Sequence, residues 1–413
     1  MDDSKLRILR LTPHFYIEPP SNKKWPVRLD PLGGMQVQIH RLSKALDYHG
    51  IPQINITMGS KYDTSKKIFK NSRLWTVLLP ILPLKSRTRG TIGLNQAWGL
   101  GTILSVLSNF SSLKKNIDIV HCHCSGVASP LLIGWLVSKI LNKRLVYTIH
   151  CSRAATYKPM SLGDKLINGF IKRLEVMLIR KASKTILLTE RVRNVYLNLG
   201  INESKLSVIP DIAEINKKPV RLDDREENII KNLNTNNKKV ILFCGRIAHE
   251  KGWRMILNIA KSLKNQEDIL VIFCGDGNER KLLEKEVCKN NLNEIIKITG
   301  FVKKDTVPII MLKADIIVVP SIHEELGGTV LEALLLNKFV IASNVGGIPE
   351  LLSHPSIGVL INPYDTNKWI KEVKKHIHNT TKPNISLINK ALLPYRLPTI
   401  IKKHEQIYNE VCC

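Results

Sequence analysis

The chain has 413 residues, of which 44% are hydrophobic and 23% charged. This length exceeds one ordinary hydrophobic core and the composition excludes intrinsic disorder, so two globular domains are expected. The formal net charge is +27, and most of it lies in residues 1–210, which carry 32 Lys and Arg against 11 Asp and Glu. Such a field favours anionic partners such as nucleotides, phospholipid surfaces or nucleic acid, and a well-solvated basic surface explains it equally well.

The first residues lack the basic start, apolar stretch and small-residue cleavage site of a signal peptide. The most apolar stretch, near Gly126–Ile140, is interrupted by Pro130 and is too short to span a bilayer, so we expect a buried helix there. Eight scattered cysteines fit no disulfide framework, and Cys244 and Cys274 fall in apolar runs where a reduced thiol acts as a small hydrophobe. These features predict a cytoplasmic protein.

Two series of strand-then-helix units follow one another along the chain. The strand-like runs of the first series are Leu6–Thr12, Gln53–Met58, Ile117–Cys122, Arg144–His150 and Lys184–Leu188. Those of the second series are Lys239–Gly245, Asp268–Gly275, Ile295–Phe301, Ala314–Ser321, Phe339–Ser343 and Gly358–Ile361. Ile, Val and Leu runs that alternate with helices are typical of parallel sheets covered on both faces.

The sequence therefore predicts an α/β protein with two doubly wound, Rossmann-like domains facing a central cleft. Residues 1–210 form the first domain and residues 239–390 the second. The segment between them, 211–238, is rich in charge and Asn and reads as a linker. We expect residues 391–413 to form a C-terminal helix that packs back on the first domain.

Ligands of such folds bind beyond the carboxyl ends of the strands, so the strand-to-helix loops are the candidate site. The most informative loop is Pro320–Ala333, where glycines lead from a strand into a helix whose free N–H groups can bind an anion. Glu324 and Glu332 flank this helix start and could accept hydrogen bonds from hydroxyls on either side of a diphosphate. Without a ligand, the same residues form an ordinary acidic helix N-terminus.

Two further loops of the second half carry candidate groups. After the strand that ends at Gly245, Arg246 and Lys251 reach one rim and suit a diphosphate leaving group, although alone they would be a solvated edge. Gly275 and Gly277 supply only two glycines of a dinucleotide fingerprint, because its third position is Arg280. An NAD site is therefore not expected.

The first half offers glycines and histidines at corresponding places. Gly33 and Gly34 precede a helix and allow close approach to a phosphate, or form a simple helix cap. His150 ends a strand, where an imidazole can orient a hydroxyl. The run His121–Cys124 invites a zinc interpretation, but alternation along a strand sends its histidines and cysteines to opposite faces, so no metal site is predicted. His123 is still expected to line the cleft.

Together these motifs resemble the retaining glycosyltransferases of family 4, which have the two-Rossmann-domain GT-B architecture. The resemblance covers nearly the whole chain and rests on Glu324 and Glu332 beside Gly327, Gly245–Gly252, Gly33–Gly34, the strand end at His150, and Val345–Glu350. It implies Arg246 and Lys251 on the donor diphosphate, Glu332 on the ribose, Glu324 on the donor sugar and His150 on the reacting side. It also implies no cofactor and no divalent metal, and the chain has no Asp-x-Asp pair to hold one.

Narrower segments are similar to the 2-deoxystreptamine glycosyltransferases of aminoglycoside antibiotic biosynthesis. These segments are Gly93–Trp98, Thr148–Arg153, Tyr157–Ser161, Leu188–Arg191, Gly245–Trp253 and His323–Gly328. This resemblance implies transfer of N-acetylglucosamine or glucose from a UDP-sugar to the 4-hydroxyl of 2-deoxystreptamine, and it leaves the donor sugar open. The expected donor-binding residues are Gly33, Gly34, Arg246, Lys251, Gly275, Gly277, Val302, Glu324, Leu326, Gly327, Gly328, Thr329 and Glu332. The expected acceptor-binding residues are Asp30, His123, His150 and Arg153.

Some positions depart from the family pattern, and three rival functions remain. Asp211-Ile212 replaces a common Asn-Gly turn, Glu325 a frequent Pro and Leu326 a frequent Phe. The first rival is a family 4 enzyme that acts at a membrane on a lipid or polysaccharide. A basic amphipathic helix predicted over Ser161–Ala182 favours it, although ordinary packing of that helix on the sheet is the preferred interpretation. The second is a sugar-nucleotide 2-epimerase. The third, a nucleic-acid binder, lacks an aromatic-interleaved basic stripe.

Overall fold

The computed structural model describes residues 6–15, 34–59, 66–77, 92–157, 159, 162–215, 222–379 and 381–413. The chain divides into two compact units. The first unit comprises Met1–Ile212 together with Leu397–Cys413, and the second comprises Ala213–Arg396.

The described strands of the first unit form one sheet. They are β1 (Ile8–Leu11), β2 (Gln53–Met58), β3 (Lys66–Lys67), β4 (Arg73–Val77), β5 (Ile119–Cys124), β6 (Arg144–Ile149), β7 (Lys184–Leu187) and β8 (Leu206–Val208). Their order is β3-β4-β2-β1-β5-β6-β7-β8, parallel apart from the antiparallel β3–β4 pair. The strand order reverses between β1 and β5, so the ligand crevice of this fold class is expected at their carboxyl ends.

Helices cover both faces of this sheet. In chain order they are α1 (Gly34–Tyr48), α2 (Ile92–Ser108), α3 (Phe110–Asn116), α4 (Ala128–Leu141), α5 (Leu162–Lys181) and α6 (Glu190–Asn198). Period-two alternation directs Leu9, Leu11 and Cys122 into one core, which also receives the buried side of α4 as the sequence predicts. Ile8 and Ile119 point into the other core, on the opposite face.

The second unit contains a parallel sheet of the same kind. Its strands are β9 (Lys239–Cys244), β10 (Ile269–Cys274), β11 (Ile296–Gly300), β12 (Ile316–Val319), β13 (Phe339–Ser343) and β14 (Gly358–Ile361). Its helices are α7 (Asp224–Asn232), α8 (Trp253–Ser262), α9 (Arg280–Lys289), α10 (Val307–Leu312), α11 (Gly328–Leu335), α12 (Ile348–Leu351), α13 (Thr366–His378) and α14 (Ile385–Leu392). The strand order is β11-β10-β9-β12-β13-β14, so the reversal falls between β9 and β12. All six predicted strands of this unit are confirmed.

The C-terminal helix α15 (Leu397–Cys412) returns to the first unit. The sequence predicted a helix over 391–413, but Pro394 lies in a 3-10 turn, Leu393–Tyr395, that separates α14 from α15. Pro398 is tolerated because it lies in the first turn of α15, where its missing N–H has no partner in any case. Apolar residues of α15 pack in the same core as Ile8 and Ile119.

The predicted linker, 211–238, also differs from the structure. Within it, α7 begins with a capping box in which Asp223 and Glu226 exchange hydrogen bonds with each other's backbone N–H. The buried carboxylate of Glu226 also accepts hydrogen bonds from Lys303 N and Thr306 Oγ1. The helix is therefore part of the second unit, and charge composition alone could not show these contacts.

Two further features of the first unit depart from the sequence predictions. The strands β3, β4 and β8 were not predicted; β3 and β8 are the two edge strands of the sheet and are only two and three residues long. The first half of α5 does not pack on the sheet as expected: Leu162, Leu166, Ile167 and Phe170 are each at least 60% exposed. Within the described residues, no helix combines the length and apolarity that crossing a membrane would require.

Candidate functional site

The carboxyl edge of the second sheet holds most of the expected donor-binding residues. Loops after β9, β10, β12 and β13 meet there, around the point where the strand order reverses. Backbone hydrogen bonds join neighbouring loops: Gly245 N to Cys274 O, Ile247 N to Asp276 O, Ile322 N to Glu250 O, and Gly347 N to Glu325 O. The loops therefore form one connected surface, and the parallel order of the strands explains why residues distant in sequence converge on it.

An ion pair between Lys251 and Glu324 lies at this reversal point. Lys251 Nζ donates to Glu324 Oε2 at 2.7 Å, and the two side chains are 25% and 17% exposed. Ser321 Oγ donates to the same carboxylate oxygen at 3.2 Å. A side chain at Gly346 would place its Cβ 2.0 Å from the backbone oxygen of Glu324, so only glycine permits this packing. The structure thus brings together two residues that the sequence placed in separate loops.

The helix α11 starts beside this ion pair. Its N-cap, Gly327, has a left-handed φ of 99°, and the helix begins at Gly328, which is exposed. Thr329 Oγ1 donates to Cys244 O at 3.3 Å, which fixes the first turn against the end of β9. Glu332, one turn further, is half-buried. The pKa of the Cys244 thiol is raised mainly by the hydrogen bond that it donates to Cys274 and by burial, and the charge of Glu332 adds to the shift.

The other expected donor residues occupy different environments. Arg246 is 64% exposed and pairs with Glu250 at 3.0 Å, so its guanidinium lies at the solvent side of the same loop as Lys251. Gly275 approaches protein backbone: a Cβ there would lie 2.0 Å from Gly245 O. A Cβ at Gly277 would likewise lie 2.2 Å from Ile247 O. These two glycines allow the loops after β9 and β10 to pack together, and the donor-binding role expected for them stays a prediction.

The side chains of Val302 and Leu326 do not line an open surface. Both are buried, and both belong to one hydrophobic core of the second unit. Any contact of these two residues with a donor would therefore come from their backbone. Their expected donor-binding role stays a prediction, which now concerns their backbone atoms.

In the first unit, His150 lies next to His123 at the ends of neighbouring strands. His123 Nδ1 is 2.9 Å from His150 Nε2. His150 Nδ1 is 3.9 Å from Asp211 Oδ1, which is within ion-pair range. Burial, with a smaller contribution from the positive charge of Arg10, lowers the pKa of His150 to about 3. The imidazole is therefore neutral at pH 7, and its contact with Asp211 is not an ion pair.

Asp211 and His150 line a small cavity in the first unit. The cavity has about 20 Å³ of free space, enough for about one water molecule. Gln38, His123, Thr148 and His404 also line it. Burial raises the pKa of Asp211 to about 7, against the opposing influence of Arg41. Near pH 7 the carboxyl group can therefore exist in either protonation state.

The remaining expected acceptor residues are only partly described. Arg153 Nε donates to Gly126 O, and its guanidinium lies 3.8 Å from the centre of the Tyr157 ring. Asp30 lies outside the described residues. So does Gly33, which was expected to bind the donor together with Gly34, and Gly34 is the exposed first residue of α1. Of the expected acceptor residues, the structure therefore brings together His123 and His150, with Arg153 following β6 on the adjacent loop.

The histidines and cysteines of β5 separate as strand alternation predicts. His121 and His123 stack on one face, with ring centres 4.5 Å apart, whereas Cys122 and Cys124 point into the core on the other face. In the described part of the chain, no group of three or more His, Cys, Asp or Glu residues has an arrangement that could hold a metal ion.

Sequence reasoning missed two buried charged residues of the first unit. Glu175 on α5 accepts hydrogen bonds from Tyr196 OH, Ser152 Oγ, Arg153 N and Ala154 N, and so fixes the loop that follows β6. Burial raises the pKa of Glu175, while these hydrogen bonds oppose the shift. Arg10 is fully buried in β1. The available signal was a single charge inside an otherwise apolar strand, Ile8–Leu11.

Comparison with known proteins gives the family. The profile "Glycosyltransferase Family 4" matches residues 32–213, and "Glycosyl transferases group 1" matches residues 224–391. A 2-deoxystreptamine N-acetyl-D-glucosaminyltransferase of Niallia circulans is 33% identical over 90% of this chain and 94% of its own length. A 2-deoxystreptamine glucosyltransferase of Streptomyces kanamyceticus is 31% identical over 83% and 89%.

A solved structure shows the same fold. HepE of Anabaena, crystallised with UDP and glucose, aligns with a TM-score of 0.70 over 98% of this chain and 99% of its own, at 18% identity. The likeness of the folds, the two matching profiles and relatives above 30% identity over most of both chains agree with the resemblance read from the motifs. The chain belongs to the family 4 glycosyltransferases, which have the GT-B fold.

Proposed function

We propose that the chain transfers N-acetylglucosamine or glucose from a UDP-sugar to the 4-hydroxyl of 2-deoxystreptamine, with retention of the anomeric configuration. The names of two relatives, a 2-deoxystreptamine N-acetyl-D-glucosaminyltransferase and a 2-deoxystreptamine glucosyltransferase, support this acceptor, and the two relatives differ in the sugar named. The donor sugar therefore stays open between the two.

The observation that carries the proposal is the Lys251–Glu324 ion pair at the reversal point of the second sheet. In the proposed complex Lys251 and the exposed Arg246 bind the diphosphate, whose negative charge grows as it leaves the sugar. Cations that are already in place stabilise that charge without reorganising during the reaction. Glu324 holds Lys251 in position at 2.7 Å before the donor binds. Its second oxygen can accept a hydrogen bond from the donor sugar, and Glu332 one from the ribose.

Retention then requires no carboxylate nucleophile from the protein. In front-face attack the acceptor hydroxyl enters on the side from which the diphosphate leaves, and a phosphate oxygen takes the hydroxyl proton. The protein contributes orientation and charge stabilisation. No metal cofactor is part of this proposal, because the side-chain cations supply the charge that a divalent ion would otherwise provide.

In this proposal Asp211 and His150 contact the acceptor with their polar atoms, and the cavity that they line has room only for about one water molecule. The proposed acceptor is a diamine and therefore cationic, whereas residues 1–210 carry a large excess of positive charge. Asp211 offers a carboxyl group beside His150, and an ammonium group nearby would favour its ionised form. His150 would orient an acceptor hydroxyl next to it.

Competition between donors tests the proposal. The purified chain is given 2-deoxystreptamine with equal concentrations of UDP-glucose and UDP-N-acetylglucosamine, and products are identified by mass spectrometry. A single mono-glycosylated product, linked at the 4-hydroxyl when analysed by NMR, is expected. Absence of any adduct of 2-deoxystreptamine with either donor contradicts the acceptor assignment. A parallel sample with UDP-N-acetylglucosamine alone tests the 2-epimerase alternative, which requires appearance of the manno epimer.

One observation favours a second candidate, a family 4 enzyme that acts at a membrane. The exposed apolar residues of α5 (Leu162, Leu166, Ile167 and Phe170) lie on a helix that also carries Lys165, Lys172 and Arg173. Such a face suits an anionic lipid surface. Flotation with phosphatidylglycerol vesicles is the test, with Phe170→Ser against Leu312→Ser, an exposed apolar residue of the second unit, as control. Binding lost only in Phe170→Ser, with no transfer to 2-deoxystreptamine, would favour this candidate.

A further inference from the structure

The fully buried guanidinium of Arg10 is surrounded by neutral hydrogen-bonding groups. Arg10 Nε donates to Gln53 Oε1 at 2.9 Å, and Nη2 donates to Tyr408 OH at 3.4 Å. Nη1 faces two imidazole nitrogens, His123 Nε2 at 2.5 Å and His121 Nδ1 at 3.2 Å. No Asp or Glu within the described ranges forms an ion pair with Arg10. A buried charge in such a setting is costly unless its hydrogen bonds are satisfied, and here four of its five N–H groups have partners.

The guanidinium can only donate hydrogen bonds, and this fixes the protons on the imidazoles around it. Every nitrogen that faces a guanidinium N–H must offer a lone pair. His123 Nε2 therefore carries no proton, and its single proton lies on Nδ1. That Nδ1–H donates to His150 Nε2 at 2.9 Å, which in turn must be unprotonated. The proton of His150 is then on Nδ1.

A second branch leads to the opposite tautomer. His121 Nδ1 lies 2.7 Å from Tyr408 OH and 3.2 Å from Arg10 Nη1, so its single lone pair is shared between these two donors, with Tyr408 OH the nearer. The proton of His121 is therefore on Nε2, which donates to Thr148 Oγ1 at 2.7 Å. The two histidines of β5 stack on one another, yet they must hold their protons on different nitrogens.

We propose that Arg10 is a positioning residue that sets the tautomers of His121, His123 and His150 through a one-way chain of hydrogen bonds. At the end of this series of hydrogen bonds, His150 Nδ1–H faces the cavity beside Asp211 as a hydrogen-bond donor. His150 Nε2 is occupied by His123 and is unavailable as a general base. Resting on the proposed function, this makes His150 a donor to a substrate hydroxyl and leaves the deprotonation of that hydroxyl to the departing diphosphate.

The surroundings of His121, His123 and His150 keep these imidazoles neutral, as the series of hydrogen bonds from Arg10 requires. Burial is the largest cause that lowers the pKa of His121 and of His123 well below the ordinary value, and the charge of Arg10 acts in the same direction. His404 on α15 packs near His121 and has a pKa lowered to about 4, again mainly by burial. A protonated imidazole would present two N–H groups and could not accept from Arg10.

Long-range ¹H–¹⁵N NMR of histidine-labelled protein tests the assignment directly, since it separates protonated from unprotonated ring nitrogens. We expect Nδ1–H tautomers for His123 and His150 and the Nε2–H tautomer for His121 at pH 7. The Nε2–H form predominates for free histidine in water, so the expected pattern is not the default. An Nε2–H or doubly protonated His123 or His150 in the wild-type protein overturns the proposal.

Variants separate the role of Arg10 from simple packing. In Arg10→Met the protonated and unprotonated resonances of His123 and His150 should exchange or average, whereas Arg10→Lys, which keeps a donor-only cation, should retain the wild-type pattern. His123→Phe should release His150 to the Nε2–H form and leave His121 unchanged. Arg7→Met, a half-exposed arginine just before the same strand, is the matched control.

Unchanged tautomers in folded Arg10→Met overturn the proposal. If Arg10→Met does not fold, the spectra of the wild type and of His123→Phe test the proposal. A His150 that keeps its Nδ1–H tautomer in His123→Phe contradicts it. These spectra need no substrate. Failure to find a transferase product would therefore contradict the proposed function but not the role of Arg10, which the NMR spectra test separately.

Discussion

Replacing Lys251 with Met removes the ammonium group 2.7 Å from Glu324 Oε2 while it keeps most of the apolar stem of the side chain. The two side chains are 25% and 17% exposed, so the pair is neither fully buried nor on the open surface. An exposed pair contributes roughly 0–1 kcal/mol, and breaking a buried pair on one side costs about 3–5 kcal/mol. We therefore expect Lys251→Met to destabilise the second unit by about 1–3 kcal/mol.

The effect on catalysis should be larger than this stability cost can explain. If Lys251 stabilises the leaving diphosphate, Lys251→Met lowers kcat by about 100-fold or more, equivalent to about 2.7 kcal/mol of transition-state stabilisation. The double variant Lys251→Met/Glu324→Gln removes the carboxylate that Lys251→Met leaves unpaired. It should recover part of the lost stability without recovering kcat, because stability depends on the pair and catalysis on the cation.

The assay measures UDP release and glycosylated product for each variant, with UDP affinity measured by calorimetry. Lys303→Met is the matched control: it removes a lysine that also lies 2.7 Å from a carboxylate, Asp223, in the same unit, but the pair is 60% and 48% exposed. That variant should keep wild-type kcat. A folded Lys251→Met enzyme with wild-type kcat and UDP affinity would refute the role given to Lys251.

Three other predictions concern the donor site, the cavity of the first unit and metal dependence. Glu332→Gln should raise the donor KM with a smaller change in kcat, as measured by initial rates over a donor series, because a ribose hydroxyl loses its charged acceptor; an unchanged KM contradicts the assignment. Because burial raises the folded-state pKa of Asp211 to about 7 from 3.8, the wild type should lose stability relative to Asp211→Asn as the pH rises from about 4 to 7. The difference should reach roughly 1–3 kcal/mol, below the full linkage value since the side chain is 21% exposed, and unfolding curves of equal pH dependence would contradict it. Activity should be unchanged in excess EDTA, and a strict metal requirement in the rate assay would count against the side-chain cations as the source of charge.

The second unit was largely predictable because its signals are local in sequence. Each of its strands is a continuous apolar run, and each functional loop follows such a run directly. Lys251 and Glu324 lie 73 positions apart in the sequence, yet both follow strands that are neighbours in a doubly wound sheet. Knowing the strand order of the fold class is therefore enough to predict that these side chains meet. The ion-pair partner of each side chain, such as Glu250 for Arg246, depends on side-chain geometry and could not be predicted from the strand order.

The interior of the first unit was not predictable in the same way. Arg10 contacts Tyr408, nearly the whole chain away, and the contact exists only because α15 returns to the first unit. The edge strand β3 lacks the apolar character of the central strands, since it consists of two lysines. Packing of the first half of α5 was predicted wrongly, because an amphipathic pattern shows which side of a helix is apolar but not whether anything covers it. The second half of α5 packs as predicted.

Both units contain polar groups that the fold alone does not require. Apolar residues of similar size at Arg10, His121 and His123 would fill the same layer without the cost of desolvating a guanidinium, and replacing buried charges in this way is often neutral or stabilising. The same reasoning applies to Lys251 and Glu324, where two partly buried charges are held together at the edge of a sheet. In each case the polar atoms are held at fixed positions before any ligand is present, as a catalytic group must be if it is to act without reorganising. The energetic cost of these two clusters is thus best explained by what they position: a cation in the second unit and an imidazole N–H in the first.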